Sequence, residues 1–215
     1  MGRDTNKAQA PDGHRARAKR ATSGRTAIEK ADAQAAAALA PAADMPAVRA
    51  VSAATDVADQ PPLVALSAAV ALTGLATRNA RLARAGARML AAHALATWAK
   101  GVLKDHIDRS RPRVLIHRGH YAMRAGDSDD SDLRSFPSGH TAGGVAVVRA
   151  LAREYPAAGV PAGTAMSAIA SGLISKQAHY PTDVAAGAAI GWLAEAVVDF
   201  AWTRLRRLPN RVVTR

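Results

Sequence analysis

Tyr155 to Ser175 is a run of 21 residues without a single charge, and it constrains the fold more than any other stretch. A helix needs about 20 such residues to cross the ~30 Å hydrocarbon core of a bilayer. A second uncharged run, Leu63 to Thr77, follows Pro61-Pro62 and with its flanks reaches about the minimum spanning length, ~17 residues. Met89 to Leu103, Thr141 to Ala152 and Thr182 to Arg204 also read as helices. The last of these carries Gly187, Gly191 and many alanines, which suit close helix contact. No period-two pattern persists, so no strand is expected. The resulting expectation is an all-α, membrane-embedded bundle of about five long helices with an extra N-terminal interfacial helix. Half of the chain is hydrophobic, but largely as alanine, and the mean hydropathy is only −0.06. A soluble alanine-rich bundle is therefore the competing reading.

The charge lies at the ends. Residues 1–25 are polar and basic, lack the apolar core of a signal peptide, and are expected to be a disordered arm. Residues 26–58 read as a surface or interfacial helical segment, broken at Pro41. Residues 59–205 form the bundle and 206–215 a basic tail. The formal net charge of +12 suits an anionic membrane surface or nucleic acid. Cysteine is absent, which excludes disulfides, thiolate zinc sites and thiol nucleophiles.

Three clusters of chemistry-bearing residues stand at the ends of apolar helices. In the first, Lys104 and Arg111 are seven residues apart. Two helical turns would put both cations on one face before Pro112 stops the helix. A point-like ammonium with a planar guanidinium suits a phosphate. Snorkelling at a membrane boundary is the plainer alternative. The second is Pro137-Ser138-Gly139-His140, a helix start whose amides and dipole make an anion site. Ser138 adds a hydroxyl, Gly139 allows close backbone approach, and His140 carries a proton that moves near neutral pH. The third is His179 with Asp183 four residues on, a spacing that lets the carboxylate orient the imidazole or merely cap a helix.

The order of these clusters, Lys-x6-Arg-Pro, then Pro-Ser-Gly-His, then His-x3-Asp, resembles the type 2 phosphatidic acid phosphatase family. That family shares its core with vanadium haloperoxidases and some acid phosphatases. The resemblance runs from about Pro61 to Trp202. It implies that Lys104, Arg111, Ser138 and the Gly139 amide bind phosphate. It makes His179 the nucleophile, oriented by Asp183, and His140 the general acid. It also implies hydrolysis of a lipid phosphate at a membrane, with no metal or cofactor and no nucleic-acid partner. One departure stands out. The family places Ser-Arg seven and six residues before the nucleophilic histidine, where this chain has Gly172 and Leu173. Lys176 is the expected stand-in cation. Its failure to substitute would leave a catalytically weak or inactive member that binds anionic lipid.

Other groups read more plainly. Asp127, Asp129, Asp130 and Asp132 form a solvated loop, and His117 and His120 lack a fixed metal geometry. His93 reads as a packed core histidine. Glu195 and Asp199, one turn apart within an apolar helix, are either functional or simply near the helix end.

Overall fold

The computed structural model describes residues 11–43 and 45–207. Two helices come first, α1 (Pro11–Ala21) and α2 (Ala27–Leu39). A short α3 (Pro46–Ala54) follows, then the long helices α4 (Gln60–Ala76) and α5 (Ala80–Lys104). The strand β1 (Ile107–Arg109), the helix α6 (Pro112–Arg118) and the strand β2 (Met123–Ala125) build a small polar cap. Three long helices close the chain: α7 (Gly139–Glu154), α8 (Pro156–Ser175) and α9 (Pro181–Arg207). The all-α bundle of five long helices is thus present, and residues 208–215 of the expected basic tail lie outside the described residues.

Local chemistry sets the helix starts. Asp59 caps α4, its Oδ1 accepting the Gln60 amide at 2.9 Å, with Pro61 and Pro62 in the first turn. Arg78 turns the chain at φ 54° and Asn79 caps α5 through the Leu82 amide at 3.1 Å. The α4–α5 hairpin is close because Gly74 faces the backbone of Ala83 and Gly86 faces that of Ala71. A side chain at either position would strike main-chain atoms, which cannot rotate away.

The core where α4, α5, α7 and α9 meet is built mainly from alanines: Ala92, Ala96, Ala142, Ala146, Ala150 and Ala194, with Leu63, Met89 and Val147. Large apolar side chains face outward instead. Leu72, Trp98, Val160 and Phe200 are each more than 60% exposed. Small residues inside and large ones outside invert the arrangement that water imposes, and they are what helices packing within lipid require. Helices α8 and α9 are both long and apolar enough to cross a membrane. This distribution favours the membrane-embedded bundle over the soluble alanine-rich one.

Three expectations need correction. The basic arm is not disordered over its described part, because α1 docks on α2 and α6. Ala18 joins Ala33, Ala36, Ala37, Leu115 and Ile116 in a second core, and Arg17 donates to the Ile116 carbonyl. Its few alanines bury nothing alone and do so only against their complement, which composition does not reveal. Residues 1–10 lie outside the described residues. Helix α2 starts at a reciprocal capping box, Glu29 accepting the Thr26 amide at 3.0 Å and Thr26 Oγ1 accepting the Glu29 amide at 3.3 Å. One face of it, Asp32, Ala33, Ala36 and Ala37, is buried and the other is exposed, so α2 is a surface helix packed along one side. Finally, β1 and β2 pair antiparallel with Arg109 opposite Met123, a ribbon too short to leave a sequence pattern. It interrupts the helix expected to join Lys104 to Arg111, and Pro112 begins a helix instead of ending one.

Candidate active site

Helix ends converge on one cavity of about 160 Å³. Lys104 is the last residue of α5, Arg111 is the N-cap of α6, Gly139 and His140 open α7, and His179 stands just before α9. All five line that cavity. The two cations of the first cluster therefore do meet, but across a turn and the strand β1. Both are held by main-chain oxygens of the loop after β2. Lys104 Nζ donates to the Arg134 carbonyl at 2.6 Å, and Arg111 Nε to the Ser131 carbonyl at 2.8 Å. Arg111 also reaches the Ala178 carbonyl at 3.3 Å, beside His179. Burial, then the neighbouring Arg113, lowers the Arg111 pKa from its ordinary value.

Ser138 is fully buried behind the cavity. Its Oγ lies 3.0 Å from Thr141 Oγ1 and accepts the Thr141 amide at 3.4 Å, so its oxygen serves as the α7 cap. Its own amide donates to the Asp183 carbonyl at 3.0 Å, tying the start of α7 to the start of α9. Gly139 brings bare backbone to the cavity wall at the positive end of α7. Gly187 on α9 makes this junction possible, since a Cβ there would strike the Ser138 carbonyl.

His179 is 3% exposed, and its Nδ1 lies 2.8 Å from the Ser135 carbonyl. A carbonyl only accepts, so Nδ1 carries the proton and Nε2 keeps its lone pair. Burial lowers the His179 pKa and outweighs the raising effect of Asp183, while Arg111 and Lys104 lower it further. The ring is neutral at neutral pH. Asp183 Oδ2 stands 3.8 Å from Nδ1, too far for a hydrogen bond. Its oxygens instead accept from Ser135 Oγ at 2.5 Å, the Tyr180 amide at 2.8 Å and Arg109 Nη1 at 2.6 Å. Asp183 thus fixes Ser135, whose carbonyl aligns the imidazole.

Arg109 was not evident from the sequence. It is 1% exposed, and it also gives Nη2 to Asp32 on α2 at 2.7 Å and to Tyr121 at 3.2 Å. Burial opposes its charge, but Asp183 and Asp32 raise its pKa above the ordinary guanidinium value. The Tyr180 ring lies 4.3 Å from its guanidinium carbon. Asp32 also accepts from the Thr182 amide at 3.2 Å, so α2 clamps the start of α9 from above.

Lys176 does not line this cavity; its Nζ donates to Thr55 Oγ1 at 2.5 Å. Leu173 is fully buried. The cavity has an unforeseen wall instead, made by Asp59, the α4 cap, by Gln60 of α4 and by His93, Thr97 and Lys100 of α5. Positions 93, 97, 100 and 104 fall on one face of a helix, a spacing visible in the sequence. His93 is buried as expected, yet its ring helps form the cavity wall. Asp59 Oδ1 lies 3.8 Å from His140 Nε2. A neutral imidazole, a second imidazole, two cations held by main-chain carbonyls and a helix N-terminus thus share one cavity.

No curated protein matches the chain. Among solved structures, the first transmembrane PAP2 type phosphatidylglycerolphosphate phosphatase from Bacillus subtilis is similar, with a TM-score of 0.63. The likeness covers 92% of this chain and 98% of that one at 17% identity, so it speaks to the fold. The family model described as the PAP2 superfamily matches residues 85–206, more than half of the chain and every cavity-lining motif residue. The chain belongs to the PAP2 superfamily.

Proposed function

We propose that the protein is an integral membrane phosphatase that hydrolyses a lipid phosphate or diphosphate through a phosphohistidine on His179. The observation that carries this reading is the His179 ring, held neutral with Nδ1 on the Ser135 carbonyl, in the same cavity as Lys104, Arg111 and the α7 N-terminus. His179 Nε2 attacks phosphorus while the bond to the lipid oxygen breaks, and His140 gives that oxygen its proton. His140 then takes a proton from water as the water attacks the phosphohistidine, and phosphate leaves with both imidazoles restored. Lys104, Arg111 and the Gly139 amide face the charge that spreads over the phosphoryl oxygens. Large apolar side chains on the outer surface support entry of a lipid from the bilayer with its head group in the polar cavity.

A second reading, an inactive relative that binds anionic lipid, is favoured by Leu173 buried where the family places an arginine and by Lys176 turned onto Thr55. Purified full-length protein in detergent separates the two. Phosphate release is measured over a panel of lipid monophosphates and diphosphates, with the alkali-stable phosphoenzyme trapped during turnover. Parent protein is expected to release phosphate and to label, and His179→Gln to do neither. Turnover surviving in His179→Gln removes the nucleophile assignment, and a parent inert on every substrate favours the second reading.

A further inference from the structure

We propose that Lys100 supplies the third phosphate-contacting cation of this site, a role that neither Leu173 nor Lys176 fills. The inference rests on the phosphatase reading and deepens it. A phosphoryl group in transfer carries charge on three equatorial oxygens. Lys104 at the end of α5 and Arg111 at the start of α6 are each fixed to a main-chain carbonyl of the loop after β2. Lys100 sits one helical turn before Lys104 on α5 and lines the same cavity from the α4 side. Its ammonium lies against the first residue of α7: a Cβ built on Gly139 would stand 3.0 Å from Lys100 Nζ. Two positive features, the ammonium and the α7 N-terminus, therefore crowd together beside two more cations. Such an arrangement is self-repelling until an anion occupies the space between them.

The hydrogen bonding around Lys100 fits this role. An ammonium offers three donors, and among the described residues Lys100 Nζ has one hydrogen-bond partner, the neutral Gln60 amide oxygen at a long 3.5 Å. Asp59 in the same wall is an acidic neighbour of both Lys100 and His140, but it lies 3.8 Å from His140 Nε2 and makes no hydrogen bond to Lys100 among the described residues. Lys176, the cation that the sequence favours, is on Thr55.

The test titrates orthovanadate, a phosphate analogue, into detergent-solubilised full-length protein. Lys100→Met and Lys100→Gln are expected to weaken binding about 10- to 100-fold, while Lys100→Arg retains most of it. Using two neutral variants keeps the comparison intact if one fails to fold, which far-ultraviolet circular dichroism checks. The kcat for a lipid phosphate should fall in parallel by about 10²-fold. Neutral variants that bind within twofold of the parent overturn the proposal. So does a parent that binds no orthovanadate, or a Lys176→Met variant that loses more than Lys100→Met. If the parent binds orthovanadate but hydrolyses no lipid phosphate, the phosphatase reading fails and the titration still decides the role of Lys100.

Discussion

Replacing Arg109 by methionine removes one buried cation from between two buried carboxylates. Asp183 on α9 has no exposed side-chain surface and Asp32 on α2 has 4%, at 2.6 and 2.7 Å from the guanidinium. Methionine roughly keeps the volume of the stem, so the loss is electrostatic rather than a cavity. Breaking a buried ion pair by deleting one partner costs about 3–5 kcal/mol, because the survivor keeps its desolvation penalty. Here two survivors remain, but each relieves the cost by taking up a proton, so the single-pair range is the appropriate figure. For a chain of this size, ~2–4 °C per kcal/mol places the expected fall of the unfolding midpoint at roughly 6–20 °C. Thermal unfolding of detergent-solubilised protein by circular dichroism reads this directly. The double variant Arg109→Met/Asp32→Asn should lose less than the sum of the single variants, since it leaves one fewer orphaned charge. A midpoint shift under ~3 °C, or strictly additive losses, would refute the clamp between α2 and α9.

The remaining expectations concern the site itself. The proposed nucleophilic attack needs neutral His179, and burial lowers its pKa. The acid limb of kcat/KM should therefore bend below the ordinary imidazole value of ~6.5, and a limb above pH ~7 contradicts the assignment. Because the folded pKa is the lower one, His179 contributes stability above its unfolded value and loses it as pH falls through the folded one. The parent midpoint should thus drop more on acidification than that of His179→Gln. Gly187→Ala places a methyl against the Ser138 carbonyl, with Thr141 Cβ at 3.2 Å and the Ala142 amide nitrogen at 3.3 Å. Overpacking there should cost about 1–3 kcal/mol and raise KM by shifting the α7 N-terminus. Gly163→Ala, where a Cβ meets nothing within 4 Å, is the control and should leave the midpoint unchanged or slightly higher.

Sequence reading succeeded where the signal was local and failed where it depended on a distant partner. The uncharged run became α8, and each chemical cluster became a helix end, because capping and apolar content are properties of neighbouring residues. Lys104 and Arg111 do meet, though not by the helical geometry expected. Helix α5 ends in a turn at Asp105 and His106, and β1, paired with β2 and bridged to Arg134, separates the two. The role of Asp183 was legible only as a pairing with His179, since Arg109 lies 74 residues away and Asp32 150 residues from Thr182. Lys176 caps α8 with its amide still on the Gly172 carbonyl, Gln177 then turns the chain at φ 59°, and the ammonium goes to Thr55 rather than to the cavity lining.

The charges at the far end of the bundle explain why those at the site are available for a substrate. Glu195, 1% exposed, accepts from Arg149 Nε at 3.1 Å and Arg153 Nε at 2.8 Å. Arg88 pairs with Asp199, and Arg84 with Glu154 at 3.1 Å. Asp183 and Glu195 are twelve residues apart on α9, a rise of about 18 Å, so this cluster does not reach the cavity. Its members meet carboxylates and hold α5, α7 and α9 together from across an alanine core that contributes little shape of its own. At the site end the pairing rule changes. Lys104 and Arg111 rest on carbonyls, Lys100 on an amide, and Asp59, the carboxylate that lines the cavity with them, stands 3.8 Å from His140. One end of the bundle is neutralised by its own side chains, and at the other Lys100, Lys104 and Arg111 make no ion pair with a carboxylate among the described residues, as the proposed binding of an anionic head group requires.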